Sequence, residues 1–273
     1  MTYRTQTALR SHAQQQLDVH NLTRALYGKR IRQPIGGDFA FSQQLAQHYL
    51  KQPVWETDIA RFGIDIWMTL TAIVKDAPLC QVRLGTKIHD AKDPAAALGP
   101  MFRQVCGTLF SQLEQHTRFW MPLAGSEPIP IFGMDKLLDP EPIPINQPQM
   151  VQDFKAGLHR FRSDYFELLS ADIFSALKQA RELSPIRFEF SRDIWVKLLY
   201  EFAAAYHHLP ACRTHLLNLL TPLYLGQVAS FITRTRSMTF DEAEAEVEAL
   251  AQRCEKQKSY LLARWQTASA SSL

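Results

Sequence analysis

Residues 61–74 read RFGIDIWMTLTAIV, and the first half of the chain turns on how this stretch is read. Gly63 frees the backbone to turn, and an apolar helical pattern begins directly after it. Asp65 falls in the first turn of that predicted helix, 64–74, where the helix dipole favours a carboxylate. Two readings stand side by side. Either the carboxylate stabilises a helix start, or a rigid element projects it into a cleft to touch a reacting hydroxyl.

Upstream, residues 33–42 read QPIGGDFAFS. Gly36 and Gly37 open backbone conformations closed to other residues and let a ligand approach the main chain. Asp38 either bonds its own backbone in a tight turn or accepts hydrogen bonds from a ligand's hydroxyls. Ser42 is placed to cap a short helix over 42–50. Downstream, LCQVRLGTKIH (79–89) alternates. Val82, Leu84, Thr86 and Ile88 fall on one side, and Gln81, Arg83, Lys87 and His89 on the other. Period two predicts a half-buried strand ending in His89. One histidine makes a metal site only with partners. Met101, Phe102, Val105, Leu109, Phe110 and Leu113 then recur at helical spacing, predicting a helix over roughly 95–118.

The segment 121–149 holds seven of the 15 prolines and reads as an extended connector. Beyond it the pattern is helical. An apolar stripe from Met150 to Leu177 predicts one long helix, and Ile194 to Tyr206 a second that Pro210 stops. Pro222 is expected to start a further turn. Thr239 and Glu242 have capping-box spacing ahead of a helix that is acidic first and basic later. The expected organisation is a polar lead-in over 1–20, a catalytic part over 21–120, the connector over 121–149, a helical domain over 150–266 and a tail over 267–273.

Composition narrows the classes. At 46% hydrophobic, 21% charged and net charge +3, the chain is ordinary globular material, too weakly basic to argue for nucleic acid. Its four cysteines form no CxxC pair, so neither zinc nor a disulfide framework is signalled, and reduced thiols in the cytoplasm are expected. No apolar run is expected to span a membrane, and the polar N-terminus lacks the apolar core of a signal peptide. A P-loop, a GxGxxG fingerprint and a serine nucleophile elbow are absent.

Taken in order, QPIGGDFAFS, RFGIDIWMTLTAI and QVRLGTKIHD resemble the second half of the catalytic domain in family 2-like glycosyltransferases of the GT-A type. The similarity is to the retaining enzymes that make glucosyl-3-phosphoglycerate, glucosylglycerate and mannosylglycerate. It covers residues 21–120 and, more loosely, the helical tail. It implies a partial α/β GT-A fold, of the nucleotide-diphospho-sugar transferase kind, followed by a mainly α-helical C-terminal domain. It also implies hexose transfer from a sugar nucleotide to a small hydroxy acid such as glycerate or phosphoglycerate. By position, Gly36, Gly37 and Asp38 resemble the substrate-holding loop, and Asp65 the acidic residue at the reaction centre. His89 resembles the distal histidine of a divalent-metal (Mg or Mn) site built with an Asp-x-Asp motif. Members of the family begin with a βαβ nucleotide-binding half that carries Asp-x-Asp, and no Asp-x-Asp occurs in these 273 residues. A truncated enzyme is therefore expected. The competing readings are a non-catalytic helical module that interacts or dimerises, and an inactive gene fragment.

Overall fold

The structure is a computed structural model that describes residues 19–84, 94–133 and 146–267. These fall into two compact units, one on either side of residues 134–145.

In the first unit, residues 19–27 form a helix, α1, buried along its whole described length. Leu22, Leu26 and Tyr27 are at most 1% exposed, and His20 donates through Nδ1–H to the Ile31 carbonyl at 2.6 Å. The polar lead-in therefore gives way to core by residue 19. Gly28, at φ +70°, ends the helix in a conformation that suits glycine. Next come β1 (Lys29–Arg30), α2 (Gln43–Leu50), a 3-10 turn (Asp58–Ala60), α3 (Ile64–Val74) and β2 (Gln81–Val82). Then follow α4 (Pro94–Gln115), α5 (Thr117–Trp120), β3 (Glu127–Pro128) and β4 (Ile131–Phe132). β1 pairs in parallel with β3, and β2 in parallel with β4. Ser42 caps α2 as its sequence predicts, its hydroxyl accepting from the Leu45 N–H at 3.2 Å. α3 packs on α4 at Gly63, where an added Cβ would lie 2.1 Å from Thr108 Oγ1.

The chain is mostly helical, and among the described residues its sheets are two strand pairs of two residues each. A helical C-terminal part is as expected; among the described residues there is no clear α/β GT-A sheet. The strand expected over 79–89 shows why. Within its described part only Gln81 and Val82 pair, and Val82 and Leu84 are 55% and 73% exposed. Alternation makes a half-buried strand only where neighbouring strands and a covering layer exist, and β2 has one short neighbour.

The second unit contains α6 (Gln147–Arg160), α7 (Arg162–Leu168), α8 (Ala171–Arg181), a 3-10 turn (Pro185–Arg187), α9 (Arg192–His208) and a 3-10 turn (Pro210–Cys212). α10 (Arg213–Thr235), α11 (Phe240–Lys256) and α12 (Lys258–Gln266) complete it. The single helix expected over 150–177 is three. The chain leaves the helix at Phe161 and again at Leu169, where the Ser170 N–H donates to the buried Glu201 carboxylate at 2.9 Å. That carboxylate also accepts from Arg264 Nη2 at 2.8 Å and from the Tyr260 hydroxyl, which ties α8, α9 and α12 together. Pro222 does not start a turn; it lies inside α10. Its ring sits against Gly157 of α6, and Phe154 sits against Gly226, so two glycines let these antiparallel helices approach closely. The capping box of α11 is formed as predicted. Residues Pro210–Thr235 are long and apolar enough by composition to cross a membrane, contrary to expectation, yet 67% of that apolar window is buried inside the protein. They are the core helix of this unit: Leu219, Leu220, Leu223 and Val228 are fully buried.

Candidate functional site

The segment 33–42 runs from β1 to α2. Gly37 adopts φ +75°, a left-handed conformation that strains any side chain with a Cβ, so the turn reading of the paired glycines holds. Gly36 is half-buried, and Gly37 and Asp38 are exposed. Two anchors fix where the segment runs. At one end the Thr69 hydroxyl donates to the Pro34 carbonyl at 2.7 Å, a buried bond. At the other the Phe41 ring meets the Tyr49 ring edge-on at 5.5 Å, and Tyr49 in turn lies 5.2 Å from Trp67. The first anchor ends on α3, at Thr69, and the second on α2, at Tyr49. Residues 34–41 are a strap between these two anchors, with Asp38 in its middle.

Asp65 occupies the first turn of α3 and is half-buried. Thr69 lies four residues on, one helical turn along the same face. The bond from Thr69 to Pro34 ties the stretch just before the glycine turn to α3, one turn beyond Asp65. Gly63 precedes the helix at φ −80°, and the Ile64 N–H donates to the Arg61 carbonyl at 3.3 Å.

A second tie joins the strap's origin to β2. Gln81 Nε2 donates to the Arg30 carbonyl at 3.3 Å, and its Oε1 accepts the Arg32 N–H at 2.6 Å. β2 is held from its other side by Gln81 N–H to the Pro130 carbonyl at 2.8 Å and Arg83 N–H to the Phe132 carbonyl at 2.9 Å. Residues 30–34, Thr69 of α3 and Gln81 of β2, far apart in sequence, are in this way tied together by hydrogen bonds. His89 lies outside the described residues.

Around this locality the ionisable groups are set by burial. Desolvation raises the Tyr49 phenol to about 12, and its hydroxyl donates to the Met68 carbonyl at 2.7 Å. His48 is held below the usual imidazole range by desolvation first and then by the charges of Lys75 and Lys51. Among the described residues no three His, Cys, Asp or Glu side chains converge as a metal would require. Those residues do not by themselves fit a divalent ion.

Sequence reading singled out Asp38 and Asp65 but missed the groups that bring their segments together, Thr69 and Gln81. Thr69 carried a faint signal, a hydroxyl four residues after Asp65 on a mainly apolar helix. Gln81 carried none, since its partners lie 49 and 51 residues away. No protein-family model matches the chain, and no curated protein matches it.

Proposed function

We propose that the first unit is the acceptor side of a hexosyltransferase, binding a small hydroxy acid such as glycerate or phosphoglycerate between the Gly36–Gly37–Asp38 turn and Asp65. The observation that supports the reading is the bond from the Thr69 hydroxyl to the Pro34 carbonyl, which joins α3 to the chain two residues before the glycine pair. A glycine turn exposes main-chain N–H groups to an anionic acceptor. Carboxylates are acceptors only, so Asp38 and Asp65 suit hydroxyl hydrogens. In this reading Asp65 receives a hydrogen bond from the hydroxyl that attacks the sugar, which raises its nucleophilicity as charge leaves with the nucleotide. The donor's diphosphate needs cationic stabilisation, a divalent metal in the resembled enzymes, where His89 would be one ligand. These residues hold no Asp-x-Asp to complete that site.

Calorimetric titration tests the reading. The chain is expected to bind D-glycerate or 3-phosphoglycerate saturably. Asp65→Asn and Asp38→Asn are expected to weaken that binding at least tenfold, beyond what any shift in melting temperature accounts for. A nucleotide-sugar with Mg²⁺ or Mn²⁺ is expected to give neither heat nor turnover. Absence of acceptor binding, or tight donor binding, would remove this account.

A further inference from the structure

The stretches 27–30 and 116–128 of the first unit meet along a seam that a row of bonds closes. The row begins with a buried tyrosine on a histidine. Tyr27, the last residue of α1, is 1% exposed, and its hydroxyl lies 3.3 Å from His116 Nδ1. The two rings meet edge-on, at 6.0 Å and 88°. Tyr27 also lies 5.9 Å from the Phe119 ring. Further bonds follow directly along the chain. The Glu127 N–H donates to the Gly28 carbonyl at 3.0 Å, Lys29 pairs with Glu127, and Arg30 Nε donates to Ser126 Oγ at 3.0 Å. Lys29 and Arg30 form β1, and Glu127 opens β3, so the tyrosine–histidine contact sits where the strand pair begins.

Burial gives the first bond its direction. Among the described residues the Tyr27 hydroxyl has His116 as its hydrogen-bond partner. A buried hydroxyl proton facing one ring nitrogen is donated to it, so Nδ1 is the acceptor and the ring carries its proton on Nε2. A second proton on His116 occupies the Nδ1 lone pair. The Tyr27 O–H then faces an N–H, and a buried donor has lost its acceptor. Burial opposes that proton as well, and desolvation lowers His116 below the usual imidazole range. The other ionisable groups of the seam do not share this conflict. The Lys29 hydrogen bond and then its charge hold Glu127 below the usual carboxylate range. His20 donates to the Ile31 carbonyl through Nδ1–H, a bond its protonated form keeps. Arg24 on α1 and Arg118 on α5 stay charged, and Glu114 lies on α4 two residues before His116. Of these groups, His116 is the one whose protonation strips a buried donor of its acceptor.

We propose that Tyr27 and His116 form an acid-sensitive latch on the β1–β3 seam, closed while His116 is neutral and released when it takes a proton. The released seam binds that proton more readily than the closed one, so closure weakens as pH falls through the ordinary imidazole range and returns as pH rises. The latch is independent of the acceptor reading, and neither needs the other.

Amide hydrogen exchange of the full chain, corrected for intrinsic exchange, tests it alongside a ring-nitrogen NMR titration of His116, both followed from neutral pH down to acid unfolding. Protection of the Glu127 N–H is expected to fall roughly tenfold or more as His116 protonates, while that of the Trp67 N–H inside α3 holds. His116→Asn offers the Tyr27 hydroxyl an amide oxygen but takes no proton, and is expected to abolish the acid response. Tyr27→Phe removes the hydroxyl from Nδ1 and is expected to raise the His116 titration toward the ordinary imidazole value. It also serves as the second probe should His116→Asn fail to fold. Glu127 protection unchanged down to acid unfolding overturns the latch. So does an acid response that persists in His116→Asn, or a His116 titration that Tyr27→Phe leaves in place. Equal losses at Glu127 and Trp67 overturn it too, because the proton then acts on the whole unit rather than on the seam.

Discussion

Thr69 and Lys258 show how single buried groups set the behaviour of each unit. Thr69 is 7% exposed, and its hydroxyl supplies the hydrogen bond that ties the stretch before the glycine turn to α3. Thr69→Val keeps the shape and leaves the Pro34 carbonyl without that donor, a cost of about 1–3 kcal/mol. We expect a lower melting temperature and, beyond it, a larger loss of acceptor affinity than a remote variant of equal stability shows. A calorimetric titration compared with a melt separates the two effects. Lys258, at the start of α12, is 8% exposed, and burial lowers its ammonium to about 8. The unfolded chain keeps that proton up to the ordinary lysine value, so between about pH 8 and 10 it binds more protons than the folded chain. Stability therefore rises with pH across that window, and the gain is lost as pH falls through 8. Relative to Lys258→Met, the melting temperature of the wild type is expected to climb from pH 8 to 10. A parallel pair of melting curves across the window would contradict this. Above pH 10 the trend reverses, because burial raises Tyr27, Tyr165 and Tyr200, and the unfolded tyrosines ionise first.

At the scale of elements, what the sequence made legible was local. Ser42 and Thr239 announce their helices because a cap acts within four residues, and both caps are formed. α3 was legible from Gly63 and the apolar run after it. The breaks at Phe161 and Leu169 were not, since no proline or glycine marks them and the apolar stripe runs on through them. At Leu169 the partner is distant: Glu201, 31 residues from Ser170, takes the Ser170 N–H. Pro222 misled for a related reason. A proline costs a helix its hydrogen bond and a clash, yet here its ring fills the space left by Gly157 on a neighbouring helix. That contact makes a prediction. In an exposed helix Gly→Ala stabilises by up to about 1 kcal/mol. At Gly226 the new Cβ would lie 2.5 Å from Phe154 Cδ2, and at Gly157 2.3 Å from Pro222 Cβ. Overpacking then wins, and each substitution is expected to destabilise by about 1–3 kcal/mol in chemical denaturation. An unchanged or raised midpoint would mean α6 and α10 do not pack this closely.

For the whole molecule, the strand pairs show why the α/β expectation did not carry. Lys29 pairs with Glu127, 98 residues on, and nothing in either dipeptide announces the other. The strap was half legible. Paired glycines and a carboxylate predicted a turn that a ligand approaches, whereas its tie to α3 depends on Thr69, and its far anchor on Tyr49. The acceptor reading unites these parts, because it requires the turn and Asp65 to meet the same small molecule. Amide chemical-shift mapping of the full chain during titration with D-glycerate tests that requirement most directly. The account predicts saturable shifts at Gly36, Gly37 and Asp38 together with Asp65 and its first-turn neighbours, at one common affinity. Shifts confined to the second unit, or none at all, would contradict it.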